Sequence, residues 1–213
     1  IAMPITGDIG ARQLARTQPA KLAAMEGQFE TQTHAPLRIG GIPFEKDRET
    51  RYAIEIPGLL SLLTFHDIGA KVIGLDAYPE DEWPPVAITH LAFQAMVACG
   101  SVMLLAALGW SVMLVRRRSV VPGPWLLRLL VFCAPLGFLA IELGWTVTEV
   151  GRQPWVIYGV LRTAETVTPM PGLIVPFTAF TVLYILLAVV VTAIMTRLVR
   201  QSDAAADGEA DDA

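Results

Sequence analysis

Two carboxylates, a tryptophan and an arginine recur along one otherwise apolar stretch, IELGWTVTEVGRQPW, at residues 141–155. At about 100° per residue, Glu142, Trp145, Glu149 and Arg152 fall within roughly 80° of one helical face. Carboxylates in a membrane helix are costly, so they face a protein interior rather than lipid. By themselves they mark either a functional site or acids that pair with arginines near an interface. The spacing leaves both readings open.

Other residues carry weaker signals. Met96 lies in HLAFQAMVACG. A thioether in a membrane helix usually packs, but it can also serve as an axial haem ligand and raise the reduction potential. Lys21 and Glu26 lie in QPAKLAAMEGQFET, where the bland reading is the solvated face of an exposed helix. His34, His66 and His90 have no neighbours at metal-ligand spacing, and His90 reads as structural or proton-exchanging. Cys99 and Cys133 both lie in apolar runs, form no metal-type spacing, and behave as small buried hydrophobes.

The elements that must position these side chains follow from composition. Of 213 residues, 54% are apolar and 17% charged, with a mean hydropathy of +0.51. Soluble domains carry roughly 25% charged residues, so this is a membrane protein. No basic footprint for nucleic acid is present. Three runs are long enough to cross a bilayer: 86–115, 125–150 and 174–198. Arg116, Arg117 and Arg118 follow the first, and Arg197 and Arg200 follow the third, which places those ends in the cytoplasm. The GRQPW turn and the hydrophilic stretch before the first span then lie outside.

The expected organisation has four parts. Residues 1–7 form the end of a preceding membrane helix, since the abrupt start at Ile1 suggests a piece of a longer chain. Residues 8–85 form a large extracytoplasmic loop, with eight Lys/Arg against twelve Asp/Glu. Within it, Pro19 to Phe29 predicts a short helix with Leu22, Met25 and Phe29 on one edge. Ile54 to Phe65 is too short to span and should lie on the membrane surface or under the loop. Residues 86–200 form a three-helix transmembrane region. Residues 201–213, with five acids and no base, predict a disordered cytoplasmic tail. The fold class is all-α, a polytopic membrane helical bundle.

Three stretches together resemble subunit I of cytochrome bd-type quinol oxidases: QPAKLAAME, then FQAMVACG, then GWTVTEVGRQPW. The short interval between them is similar to the short-loop, cyanide-insensitive-type branch. The resemblance implies an oxidoreductase of the bacterial inner membrane that oxidises quinol at the outer face and reduces oxygen to water. It implies Met96 as a ligand of a low-spin b-type haem and Glu149 as the ligand of a high-spin b-type haem. Trp145 would pack between haems, and Arg152 would face a propionate or fix the carboxylate. Glu142 could assist protons or a haem edge. Lys21 and Glu26 would act on the quinol, and electrons would pass from there by Met96 and Trp145 to Glu149. The family often has an arginine two residues before the methionine; Gln94 stands there, which leaves the potential of that haem open.

Haem d is the third implied cofactor, with its ligands outside this chain. Its partners would be subunit II and the N-terminal part of subunit I, which brings the remaining haem ligands. Two other classes fit the residues without the resemblance: a transporter, because intramembrane acids also mark ion pathways, and a cofactor-free membrane scaffold.

Overall fold

The computed structural model describes residues 2–117 and 123–211, so Ile1, Arg118 and the last two residues of the expected tail lie outside the described residues. The chain is mostly helical, at 63%. It divides into two units, Ile1–Thr166 and Val167–Ala213.

In the first unit, α1 (Ala2–Thr17) opens the chain. It runs past the expected boundary at residue 7, because its proline, Pro4, lies in the first turn where it breaks no helical bond, and Arg12 pairs with Asp8 one turn away. The second helix, α2 (Pro19–Glu26), has proline in its first turn. It ends at Glu26 rather than Phe29, since Gly27 takes the left-handed conformation at φ 61° and donates back to Ala23 and Ala24. A solvated face does not describe α2. Ala23 and Ala24 pack with Phe29, Leu75 and Val86, and Met25 packs with Ala92 and Val147.

The loop that follows holds β1 (Gln32–Thr33), β2 (Leu37–Phe44), β3 (Glu49–Ile56), α3 (Leu59–Phe65) and β4 (Lys71–Val72). β2 and β3 form an antiparallel hairpin, and β1 pairs with β4. α3 turns Leu60, Ser61 and Thr64 inward, and Leu60 packs with Ala35 and Val72. The all-α expectation therefore describes the spans and the helices before them, but misses these two-stranded ribbons.

The membrane region begins with α4 (Val86–Arg117). α5 (Pro124–Cys133) and α6 (Leu136–Val150) together make the second apolar span, Pro124–Val150. The expected single helix is broken there because Pro135 has no N–H to give to the helical ladder. α6 packs along α4, and α2 and β2 both rest on α4. Beyond α6, Gln153–Pro154 is a cis peptide, and β5 (Trp155–Ile157) pairs with β6 (Leu161–Arg162).

The second unit is dominated by α7 (Ile174–Asp211). Its segment Ile174–Gln201 is long and apolar enough to cross a bilayer. The backbone stays helical to Asp211, where the sequence suggested disorder. Alanine-rich sequence keeps a helix going even when it has no apolar face to bury.

Candidate functional site

The face singled out by sequence exists as one surface of α6. Glu142, Trp145 and Glu149 line an open groove of about 270 Å³, together with Thr146 and Val150. The opposite side of α6 carries Leu143 and Val147 into the core with α4. Trp145 is 62% exposed, and the Glu149 side chain is 56% exposed. On a helix otherwise apolar enough to span, such a face cannot be left against lipid. Among the described residues, Glu142 has no ion pair. Glu149 has a long one, with Arg152 Nη2 at 3.9 Å from its Oε1. An arginine at that distance does not saturate the carboxylate.

Met96 is not part of this groove. Its half-buried side chain turns into the α4–α6 contact, where a Cβ added to Gly144 would come within 3.1 Å of the sulfur. Gly144 thus makes the room the thioether occupies. Gln94, two residues earlier, is committed to the hairpin. Its amide donates to Arg38 O at 2.9 Å and accepts from Gly40 N–H at 3.1 Å.

Lys21 and Glu26 lie five residues apart on α2, so helix geometry sets them about 140° apart around the axis. The structure sends them to different neighbourhoods. Lys21 Nζ donates to Thr148 O at 3.3 Å, near the end of α6. Burial pushes its pKa down, helped by the Arg152 guanidinium and opposed by Glu149. Gly151 permits this approach: a Cβ there would lie 3.3 Å from Lys21 Cε and 2.9 Å from Thr89. Lys21, Arg152 and Glu149 therefore share one electrostatic neighbourhood at the C-terminal end of α6.

Glu26 is only 6% exposed. Its Oε2 is buried without a hydrogen-bond partner among the described residues. Burial raises its pKa to about 7, against the opposing pull of Arg38. Arg38 is held by Glu55 at 2.9 Å and reaches the end of α2 through Gly27 O at 3.4 Å. His34 and His66 play no part in this cluster; His66 Nε2 sits 3.5 Å from Asp8 Oδ1.

Several contributors were not singled out by their spacing. Arg38 gave no sequence signal, since it is one of many charges in a hydrophilic stretch. Thr148 contributes only a carbonyl, which any residue could. Trp155 is in GRQPW, and its buried indole N–H has no acceptor among the described residues. It lines a small recess with Lys21, Arg152 and Tyr158.

Haem iron takes axial ligands such as histidine, thiolate, thioether or an anionic oxygen, and the macrocycle suits a cation beside its propionates and a flat apolar surface. Glu149 with its unsaturated carboxylate and the exposed Trp145 ring offer an anionic oxygen and a flat face on one groove, and Arg152 lies 3.9 Å from that carboxylate outside the groove lining. Met96 supplies the right atom in a tighter setting.

Comparison with known proteins identifies the family. A family profile described as "Cytochrome bd terminal oxidase subunit I" matches residues 1–203. A Bacillus subtilis (strain 168) protein that carries the provisional name cytochrome bd menaquinol oxidase subunit I is 39% identical over 194 residues, covering 90% of this chain and 43% of that protein. Cytochrome bd ubiquinol oxidase subunit 1 of the same strain is 30% identical over 214 residues, covering 94% of this chain and 46% of the relative. The bd oxidase structure from Geobacillus thermodenitrificans superposes with a TM-score of 0.77 at 40% identity, over 93% of this chain and 45% of that one. The chain spans about half the length of the relatives it matches. With a profile match along nearly its whole length and a matching helical fold, this chain belongs to the cytochrome bd terminal oxidase subunit I family.

Proposed function

We propose that this chain is the quinol-facing, C-terminal part of subunit I of a bd-type quinol:oxygen oxidoreductase, inactive without the rest of that subunit and subunit II. One observation carries the reading. A spanning helix presents Glu142, Trp145 and Glu149 on the face opposite its packing partner, and its end turns through Arg152 towards Lys21. Acids on such a face require a partner from outside the described residues.

In this reading Glu149 is the anionic ligand of a high-spin b-type haem and Met96 the thioether ligand of a low-spin one. Haem d is bound by residues outside this chain. Bound haem would supply one-electron iron chemistry and oxygen reduction. Arg152 offsets negative charge beside Glu149, and Trp145 offers a flat face. Residues 8–85 and GRQPW lie on the outer side, and Arg116 and Arg197 on the cytoplasmic side.

Lys21 and Glu26 divide the work on the quinol. Lys21 sits at a rim, and its 3.3 Å bond to Thr148 O is long enough to be exchanged for a quinol oxygen. There the ammonium stabilises negative charge as it develops. Glu26, with a pKa near 7, can accept a proton and release it near neutral pH. Because it is buried, that proton reaches it through the packing around α2 rather than from open water.

The test is turnover of the full-length oxidase in membranes with quinol, compared with an artificial donor that feeds the haems directly. Lys21→Ala and Glu26→Ala should lower the first and spare both the second and the haem spectra. Equal losses with both donors would exclude α2 as the quinol site. A full-length protein with no haem absorption would return the reading to a transporter or a scaffold.

A further inference from the structure

The indole N–H of Trp155 is a buried donor that no group among the described residues accepts. A buried donor left unmatched is costly, so its position calls for an acceptor. The ring is held in place. Tyr158 meets it edge-on, with 6.0 Å between the ring centroids, and the Arg162 guanidinium lies over it at 5.0 Å. The backbone is held too. Trp155 pairs with Arg162 between β5 and β6, and its own backbone N–H donates to Arg152 O at 3.0 Å.

The recess that Trp155 lines measures about 10 Å³, room for one water-sized group. Two cationic donors, Lys21 and Arg152, share its wall with the indole, and so does one carboxylate, Glu82. Glu82 Oε1 takes Arg162 Nη2 at 3.4 Å, and its side chain is 26% exposed. A carboxylate offers about four lone pairs, so this long contact leaves Glu82 able to accept again. Arg162 thus fixes a donor and an acceptor together, by lying over Trp155 and by holding Glu82. A group that matches this wall accepts hydrogen bonds from one side and donates one to the other. A hydroxyl does both. A carbonyl oxygen cannot donate, and a carboxylate such as a haem propionate would bring a second anion against Glu82.

We propose that the recess receives one hydroxyl of the quinol, which accepts from Trp155 Nε1 and Lys21 Nζ and donates to Glu82. The identity of the ligand rests on the proposed function, whose Lys21 gains here a second donor and an acceptor. The quinol ring stays at the mouth, because the recess admits an oxygen and not a ring. Glu82 then discriminates between the two forms of the ligand. The quinone product carries a carbonyl at the same place, and its lone pairs meet the Glu82 carboxylate with no hydrogen between them. The oxidised form is therefore held less tightly than the reduced one and leaves.

Equilibrium dialysis of a short-tailed quinol, and of its quinone, against the fully reduced full-length oxidase in lipid nanodiscs without oxygen tests this apart from turnover. Trp155→Phe keeps a ring against Tyr158 and Arg162 and removes the N–H. It should weaken binding of both forms about tenfold, the equivalent of one hydrogen bond. Glu82→Gln gives the recess an amide that can donate to a carbonyl. It should tighten quinone and narrow the preference for quinol about tenfold. Unchanged affinities in Trp155→Phe would show that a lone water matches the indole and would overturn the proposal. Unchanged affinities with a shifted haem spectrum would overturn it by giving the recess to a propionate. A preference for quinol that survives Glu82→Gln would overturn the discriminating role. A wild type that binds neither form would instead overturn the quinol-oxidase reading itself, whereas a wild type that binds quinol while both variants stay unmoved would overturn the recess alone.

Discussion

Replacing Glu26 by glutamine changes how stability depends on pH, and the size of the change follows from its burial. The carboxyl is 6% exposed, and its pKa rises from 4.5 to about 7. A shift of that size corresponds to about 3 kcal/mol of differential interaction. The sign is fixed by proton binding. Between those two values the folded protein holds a proton that the unfolded chain has lost, so stability falls as pH rises. The contribution is fully present below pH 4.5 and gone above about pH 7. Glutamine keeps the volume and has no proton to lose. Its amide adds donors to a site where Oε2 has no partner among the described residues, at a cost of about 1–3 kcal/mol that does not vary with pH. The prediction therefore concerns the slope. Across pH 4.5 to 8, the stability of Glu26→Gln relative to wild type should shift by about 3 kcal/mol in the variant's favour. Thermal unfolding of the full-length protein in nanodiscs at closely spaced pH values measures this. Arg38→Met should move the wild-type transition to higher pH, because Arg38 holds the carboxyl down. Parallel curves for wild type and Glu26→Gln would refute the burial argument.

The other perturbations act on the remaining parts of the site. Met96→Leu, a swap of near-equal volume that costs less than about 1.5 kcal/mol in packing, should keep the fold and remove the low-spin haem signal; an unchanged low-spin spectrum would end the ligand assignment. Gly151→Ala places a Cβ 2.5 Å from Val147 O, 2.9 Å from Thr89 and 3.3 Å from the Lys21 stem, so the turn after α6 must shift. It should displace Lys21 from Thr148 and raise the KM for quinol, as read by steady-state kinetics; wild-type KM would show that the Lys21 position is unimportant.

The spans were legible because crossing a bilayer needs only length and apolarity, and α4, α5 and α7 begin within a residue of a run readable from composition, with Pro135 dividing the second run into α5 and α6. α2 was legible from Pro19 and its apolar spacing, and its stop lay in Gly27. The hairpin was not. Leu37 to Ile56 has no clean two-residue alternation, and its Ile39–Ile54 pairing is a cross-strand fact that no local window contains. The same limit applies to the site. Glu142, Trp145 and Glu149 share a face by periodicity alone, so one helix suffices to see them. Lys21 meets Thr148 across 127 residues, and Glu26 is buried by α4 and the hairpin, so a chain read locally takes both for a solvated surface. His90 looked isolated because its partners, Met25 O and Gly40 O, are backbone oxygens, which carry no residue signature.

The central claim is that Glu149 holds iron. It is tested most directly by haem content per protein and the reduced-minus-oxidised visible spectrum of the full-length oxidase in three variants. Glu149→Ala removes the anion and should lose or displace the high-spin b-type haem. Glu149→Gln keeps the volume without the charge; it should retain part of that haem, with its potential shifted upward, since a neutral ligand stabilises ferric iron less. Arg152→Ala should keep the haem, because the 3.9 Å contact to Glu149 is not what holds the iron. Full haem content and an unchanged spectrum in Glu149→Ala would contradict the account and leave Glu149 as no more than the ion partner of Arg152.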